Sequence, residues 1–134
     1  MLLEMGVKAA VLKCGRLGIY LRTAGQAAMG GFGRAKPGHT KSWVGRQLWE
    51  ASFHVGQIAS AAGSGDSAIA GFLAAFVRGE PAERCLKMAC AVGAHNVTAF
   101  DAVSGIRSWE ETVAQIQAGP RKDAVPERLR ELAR

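Results

Sequence analysis

The sequence predicts an α/β fold, a layered sheet with flanking helices, and two observations carry that expectation. Its N-terminal part holds short apolar runs bounded by glycine turns, the pattern of buried strands. Beyond residue 60 the apolar runs lengthen, and glycine closes them where proline opens the next, as in helices. Strands followed by apolar helices pack as layers. A chain of 134 residues suits one such domain.

Residues 1–5 read as the last turn of a helix, stopped by Gly6. Residues 7–13 form a short strand and residues 18–22 a second one after a glycine turn. Residues 23–42, rich in Gly and Ala and basic at their end, read as a loop or loose hairpin. Residues 43–49 suit a helical turn, and residues 53–58 alternate like another strand of the same sheet. So few strands leave an edge that wants a partner.

The clearest element follows. Gly63-Ser64-Gly65-Asp66 leads into residues 67–77, a helix apolar on nearly every face and so expected in the middle of a layer. Gly79 closes it and Pro81 opens a second helix, with Ala82, Leu86, Ala89, Gly93 and Val97 on one face and Glu83, Arg84 and Lys87 on another. Ser108 and Glu111 make a capping box for a helix over 109–118, ended by Gly119-Pro120. A final charged helix over 126–133 has Val125, Leu129 and Leu132 as its apolar stripe. No internal repeat is found.

Composition narrows the function classes. With 49% hydrophobic and 21% charged residues the chain is globular rather than disordered. Its net charge of +6 suits an anionic ligand, a nucleic acid or an acidic surface. The basic residues are scattered and no aromatics interleave with them, which argues against nucleic acid. Cys14, Cys85 and Cys90 form no CxxC pair, so neither a disulfide framework nor a zinc site is expected. Glu4 and Lys8 interrupt the apolar start, and residues 68–77 are too few to span a bilayer. The expected setting is cytoplasmic, with no membrane partner.

Gly63-Ser64-Gly65-Asp66 carries the chemistry. Small residues at a helix start let backbone N–H groups approach an anion, and phosphate is the natural guest. An aspartate in that turn would repel phosphate, unless it serves to deprotonate a hydroxyl beside a phosphoryl group in transfer. Asp66 reads equally well as a plain helix cap. Residues 33–40 nearly match a P-loop, but His39 stands where the lysine belongs and no buried strand leads in. His95 reads as a packed histidine rather than a ligand.

The run from Gly63 to Gly79 resembles the C-terminal signature of the ribokinase-type (PfkB) carbohydrate kinases. Lys13-Cys-Gly-Arg-Leu-Gly18 resembles the strand-end nucleotide loop of that family. Ala89-Cys-Ala-Val-Gly-Ala-His-Asn-Val97, with residues 102–106, resembles its adenine border. The resemblance covers residues 2–116 and implies the C-terminal part of a ribokinase-like layered sheet over residues 1–118, with a charged helix or tail over 119–134.

Transferred residue by residue, the resemblance makes Gly63, Ser64 and Gly65 an anion hole and Asp66 the catalytic base. Lys13, Gly15 and Gly18 would line the phosphates and ribose of ATP. Cys90 and Ala94 would lie near the base, although a small core residue is an equal reading of Cys90. ATP with Mg2+ and a sugar would be the reactants, although the magnesium-linked Asn-x-x-Glu motif is missing: Asn96 is the one asparagine and Ala99 follows three later. Where many members carry an Asp and two threonines for a monovalent cation, Ser60, Ala61 and Ala62 stand here, which argues against K+. The sugar-holding half of the family lies upstream of these motifs, so a homo-oligomer or an upstream-half partner is expected. A non-catalytic remnant or interaction domain is the alternative reading.

Overall fold

The computed structural model, which describes residues 1–131, starts with a turn that Gly6 stops at φ 92°. β1 (Ala9–Lys13) and β2 (Ile19–Thr23) then form an antiparallel hairpin pairing Val11 with Leu21. Gly15 and Gly18 make its tight connection at φ 55° and 110°. A Cβ on Gly18 would sit 2.0 Å from the Glu50 carbonyl oxygen, so both the dihedral and the space require glycine. β3 (Gln47–Glu50) pairs antiparallel with β2, Leu48 opposite Leu21, and completes a three-stranded sheet of order β1-β2-β3.

Two expectations between residues 43 and 58 are corrected. The helical turn expected over 43–49 is confined to a 3-10 turn at Thr40–Trp43, because Gly45 at φ 60° ends it. Residues 47–50 become a strand because β2 offers a free edge and the Trp49 indole donates to the Leu17 carbonyl at 3.0 Å. Strand pairing here outweighs local preference. Residues 53–58 are not a strand of the sheet: only Phe53 makes a bridge, to Lys122. Their apolar residues still share one place, since Phe53, Val55 and Ile58 all line one cavity.

The Gly-rich stretch is no hairpin. It holds a short α1 (Gln26–Met29) with Met29 buried, and then delivers Trp43 into the core. Trp43 is fully buried and meets Phe72 and Phe76 edge-on, at centroid distances of 6.0 and 5.2 Å. Edge-on pairs of this kind add about 0.5–1.5 kcal/mol each beyond burial.

α2 (Ser64–Val77) and α3 (Ala82–Asn96) form the main helical pair. A Cβ on Gly71 would lie 2.8 Å from Val92 Cγ2 and 2.9 Å from the Met88 carbonyl oxygen, so glycine sets how closely the helices approach. α3 touches β2 and β3 as well as α4 (Trp109–Gln117). It is therefore the central element, and ten of its residues are buried. α2 is not in mid-layer as its composition suggested. Leu73 and Val77 are 51% and 73% exposed, because α3 and the 24–43 loop cover only one side of it.

Ser108 and Glu111 form the expected reciprocal cap of α4. After it Gly119 turns the chain at φ 66°, and residues 121–125 run back along residues 52–54, burying Val125. α5 (Glu127–Glu131) ends the described part; Leu132 of the expected stripe lies outside the described residues. Among the described residues no helix is long and apolar enough to cross a membrane.

Candidate functional site

A cavity of about 260 Å³ opens between the β1–β2 turn, α2, α3 and residues 52–58. Lys13, Gly15, Gly18, Ser64, Gly65, Cys90 and Ala94 all line it, so seven of the nine residues singled out in the sequence meet in one place. Gly63 and Asp66 do not line it; they flank the residues that do.

The α2 end of the cavity is shaped for an anion. Gly63 is the N-cap of α2, in the left-handed region at φ 77°, and a Cβ there would press to 3.1 Å from Ala102 Cβ. The Ser64 N–H and hydroxyl both turn back to the Ala61 carbonyl, at 3.3 and 2.9 Å. The first N–H groups of a helix have no partner within it. Those of Gly65 and Asp66 make no hydrogen bond among the described residues. The Lys13 ammonium hangs over the same turn, so near that a Cβ on Gly65 would fall 2.8 Å from it. Two free N–H groups, a helix start and an ammonium together favour a phosphate-sized anion.

Asp66 is not a cap. It stands in the first turn of α2 behind the N-cap Gly63, and its side chain makes no capping bond. Its carboxylate is 95% exposed, and its one ionic partner among the described residues is Lys13, at 3.8 Å. A carboxylate held beside an anion site and open to solvent can meet a hydroxyl arriving from outside the chain.

The other end is apolar. Ile19, Phe53, Ala68, Ala89 and Val97 line it, and Cys90 closes it from α3. Burial pushes the Cys90 thiol up to about 12, so at neutral pH it is an uncharged wall atom and no nucleophile. Its Sγ lies 3.6 Å from the Glu50 carbonyl oxygen. His95, one residue past Ala94, points away into the contact with α4, where Nε2 meets the Gln115 side-chain oxygen. None of residues 33–40 lines the cavity; Gly38 instead packs on Gly79.

Sequence reasoning missed Phe53, Val55, Ile58 and Asp123 as cavity residues. The alternation of 53–58 was the usable signal for the first three. Asp123 had none, since it sits in a charged run.

No metal cage accompanies the site. Among the described residues no three of His, Cys, Asp and Glu converge. Just before Ser60, Ala59 N–H donates to the Val97 carbonyl at 2.8 Å. The Asn96 amide also ties down the Ala102 carbonyl at 2.6 Å. The protein itself joins those loops.

A helix start with free N–H groups, an overhanging lysine and an apolar slot thus meet in one cavity on an α/β fold. The chain belongs to the pfkB family of carbohydrate kinases, whose family model matches residues 2–109. No curated protein sequence gives a significant match.

Solved structures agree on the fold. The nucleoside kinase of Methanocaldococcus jannaschii, an archaeal member of the ribokinase family, matches 84% of this chain and 31% of its own at 21% identity and TM-score 0.65. Arabidopsis thaliana ribokinase, solved with ribose and ATP, matches 85% and 30% at 21% identity and TM-score 0.66. Ribokinase from Thermotoga maritima matches 86% and 32% at 24% identity and TM-score 0.61. The chain thus spans about a third of the length of these kinases and carries part of their fold.

Proposed function

We propose that this chain is the nucleotide-binding part of an ATP-dependent sugar kinase. The observation that carries the reading is the single cavity uniting Lys13, Gly15, Gly18, Ser64, Gly65, Cys90 and Ala94. The base of ATP would occupy the apolar end by Cys90 and Ala94. Its phosphates would reach the α2 start, where Lys13 and the backbone N–H groups take up charge. The Arabidopsis relative was solved with ATP and ribose, which supports the same two reactants here.

Phosphoryl transfer then runs as follows. The sugar hydroxyl loses its proton to the Asp66 carboxylate as its oxygen forms a bond to the γ-phosphorus. The bond from that phosphorus to the β,γ-bridging oxygen breaks, and ADP leaves with the electron pair. The N–H groups at the α2 start stabilise the charge on the transferred group without having to reorganise. Holding the sugar in line belongs to residues outside this chain, which spans about a third of its relatives. Misplacing a reactant by an ångström can cost about a hundredfold in rate, and an unbound sugar should cost far more.

Calorimetric titration with ATP, beside a phosphorylation assay over a panel of pentoses and hexoses, tests the reading. The 134-residue chain should bind ATP, transfer phosphate to sugars at or near background, and keep its ATP affinity in Asp66→Asn. Absence of ATP binding at millimolar concentration would instead favour the non-catalytic remnant. Rapid sugar phosphorylation that survives Asp66→Asn would remove Asp66 from the chemistry.

A further inference from the structure

We propose that residues 119–125 are a strap that completes the nucleotide cavity, and that Asp123 on it reads a ribose hydroxyl of the bound nucleotide. The proposal rests on the cavity being a nucleotide site. It concerns a segment beyond residue 109, where the family match stops.

The strap is held at several points. His54 N–H donates to the Arg121 carbonyl at 2.8 Å, and Asp123 N–H to the Ser52 carbonyl at 2.9 Å. Between them Lys122 makes the bridge to Phe53, lays its ammonium 4.6 Å from the centre of that ring and pairs with Glu50. Val125, 7% exposed, anchors the far end. A segment tied down in this way presents its side chains in fixed directions.

Asp123 is the one strap residue that lines the cavity, and it also borders an open hollow between residues 49–51 and 121–125. Asp123 is the one acidic residue in a lining that otherwise holds the cations Lys13 and Arg16. Its side chain is 18% exposed, and Oδ1 accepts from His54 Nδ1 at 2.8 Å. No other hydrogen bond to the carboxylate is found among the described residues, so Oδ2 remains an acceptor on a residue that lines the cavity.

A carboxylate repels phosphate, so the triphosphate belongs at the Lys13 end and Asp123 must meet a neutral donor. A purine nucleotide offers two kinds, the ribose hydroxyls and the exocyclic amine. Position decides between them. Asp123 is bonded through its backbone to Ser52, whose hydroxyl donates to the Gly15 carbonyl at 3.2 Å. It therefore stands beside the β1–β2 turn that follows Lys13, whereas Cys90 and Ala94, where the proposed reading puts the base, lie on α3. The ribose is the part of a nucleotide that joins phosphate to base.

The test compares dissociation constants of ATP, 2′-deoxy-ATP, 3′-deoxy-ATP and inosine triphosphate for the natural chain and Asp123→Ala. The natural chain should prefer ATP over at least one deoxy analogue by on the order of tenfold, as a lost hydrogen bond to a charged acceptor implies. In Asp123→Ala that preference should fall to near one. A strap that is only structural would weaken all four nucleotides alike and keep the preference, which overturns the proposal. Loss of discrimination against inosine triphosphate instead would assign Asp123 to the base, and also overturns it. Failure of the natural chain to bind any of the four would overturn the nucleotide reading itself.

Discussion

The two ends of the cavity are built differently. At the α2 start the reactive groups are open to solvent: Asp66 is 95% exposed and Lys13 43%. Across the cavity Phe53 and Cys90 are 5% and 8% exposed, and Lys122 lies over the Phe53 ring. In the proposed reading the apolar end takes the base and the open end the phosphates, where among the described residues the one ionic partner of the Asp66 carboxylate is Lys13. Nucleotide binding and phosphoryl transfer should thus be separable, and substitutions at the two ends should differ in kind.

The largest expected effect comes from filling the closed end. Cys90→Trp places an indole at a residue that lines the apolar slot. ATP and adenosine should both lose more than about a hundredfold in affinity, the consequence of denying roughly 3 kcal/mol of apolar burial. Thermal unfolding checks that the fold survives. Unchanged adenosine binding in a folded Cys90→Trp variant would show that the base lies elsewhere.

A smaller, selective effect is expected at the open end. Lys13→Ala removes the ammonium above Gly65 but no part of the slot. ATP should weaken by about tenfold, more at low salt than at high, since an exposed cation is screened. Adenosine affinity should stay within about twofold. An equal loss for both ligands would erase the distinction between the two ends.

Legibility follows the same division. The anion end is local in sequence: a glycine turn, an aspartate and a helix start occupy four consecutive residues, and Gly63 needs its left-handed φ whatever packs nearby. The α2–α3 pair was equally plain, because Gly79 and Pro81 mark its ends. The closed end depends on distant segments meeting. Residues 47–50 became a strand only because β2 offered an edge, and the apolar residues Phe53, Val55 and Ile58 make a cavity wall rather than a sheet. Asp123 reaches the cavity through a chain reversal at Gly119 and a bridge to Phe53, and its own charged surroundings predict neither. The exposed flank of α2 was misjudged for a related reason. Its composition records burial, but Leu73 and Val77 are only partly covered among the described residues.

The smallest expected effect concerns how the closed end is supported. α3 presents Cys90 and Ala94 to the cavity and turns His95 toward α4, where the ring is 3% exposed. Burial lowers the His95 pKa below its ordinary 6.5, and the bond to Gln115 offsets this only in part. The unfolded chain therefore takes up a proton near pH 6.5 that the folded chain resists. Stability from the neutral ring is present above about pH 6.5, declines as the pH falls below it, and is fully lost once the pH is under the lowered folded value. Urea unfolding at pH 7.5 and pH 5.5 should show the midpoint dropping in acid. His95→Gln, which cannot titrate, should flatten that part of the dependence while leaving ATP affinity at pH 7.5 almost unchanged. If the variant instead loses ATP binding while remaining folded, His95 acts on the cavity directly, and the division of α3 into a ligand face and a support face fails.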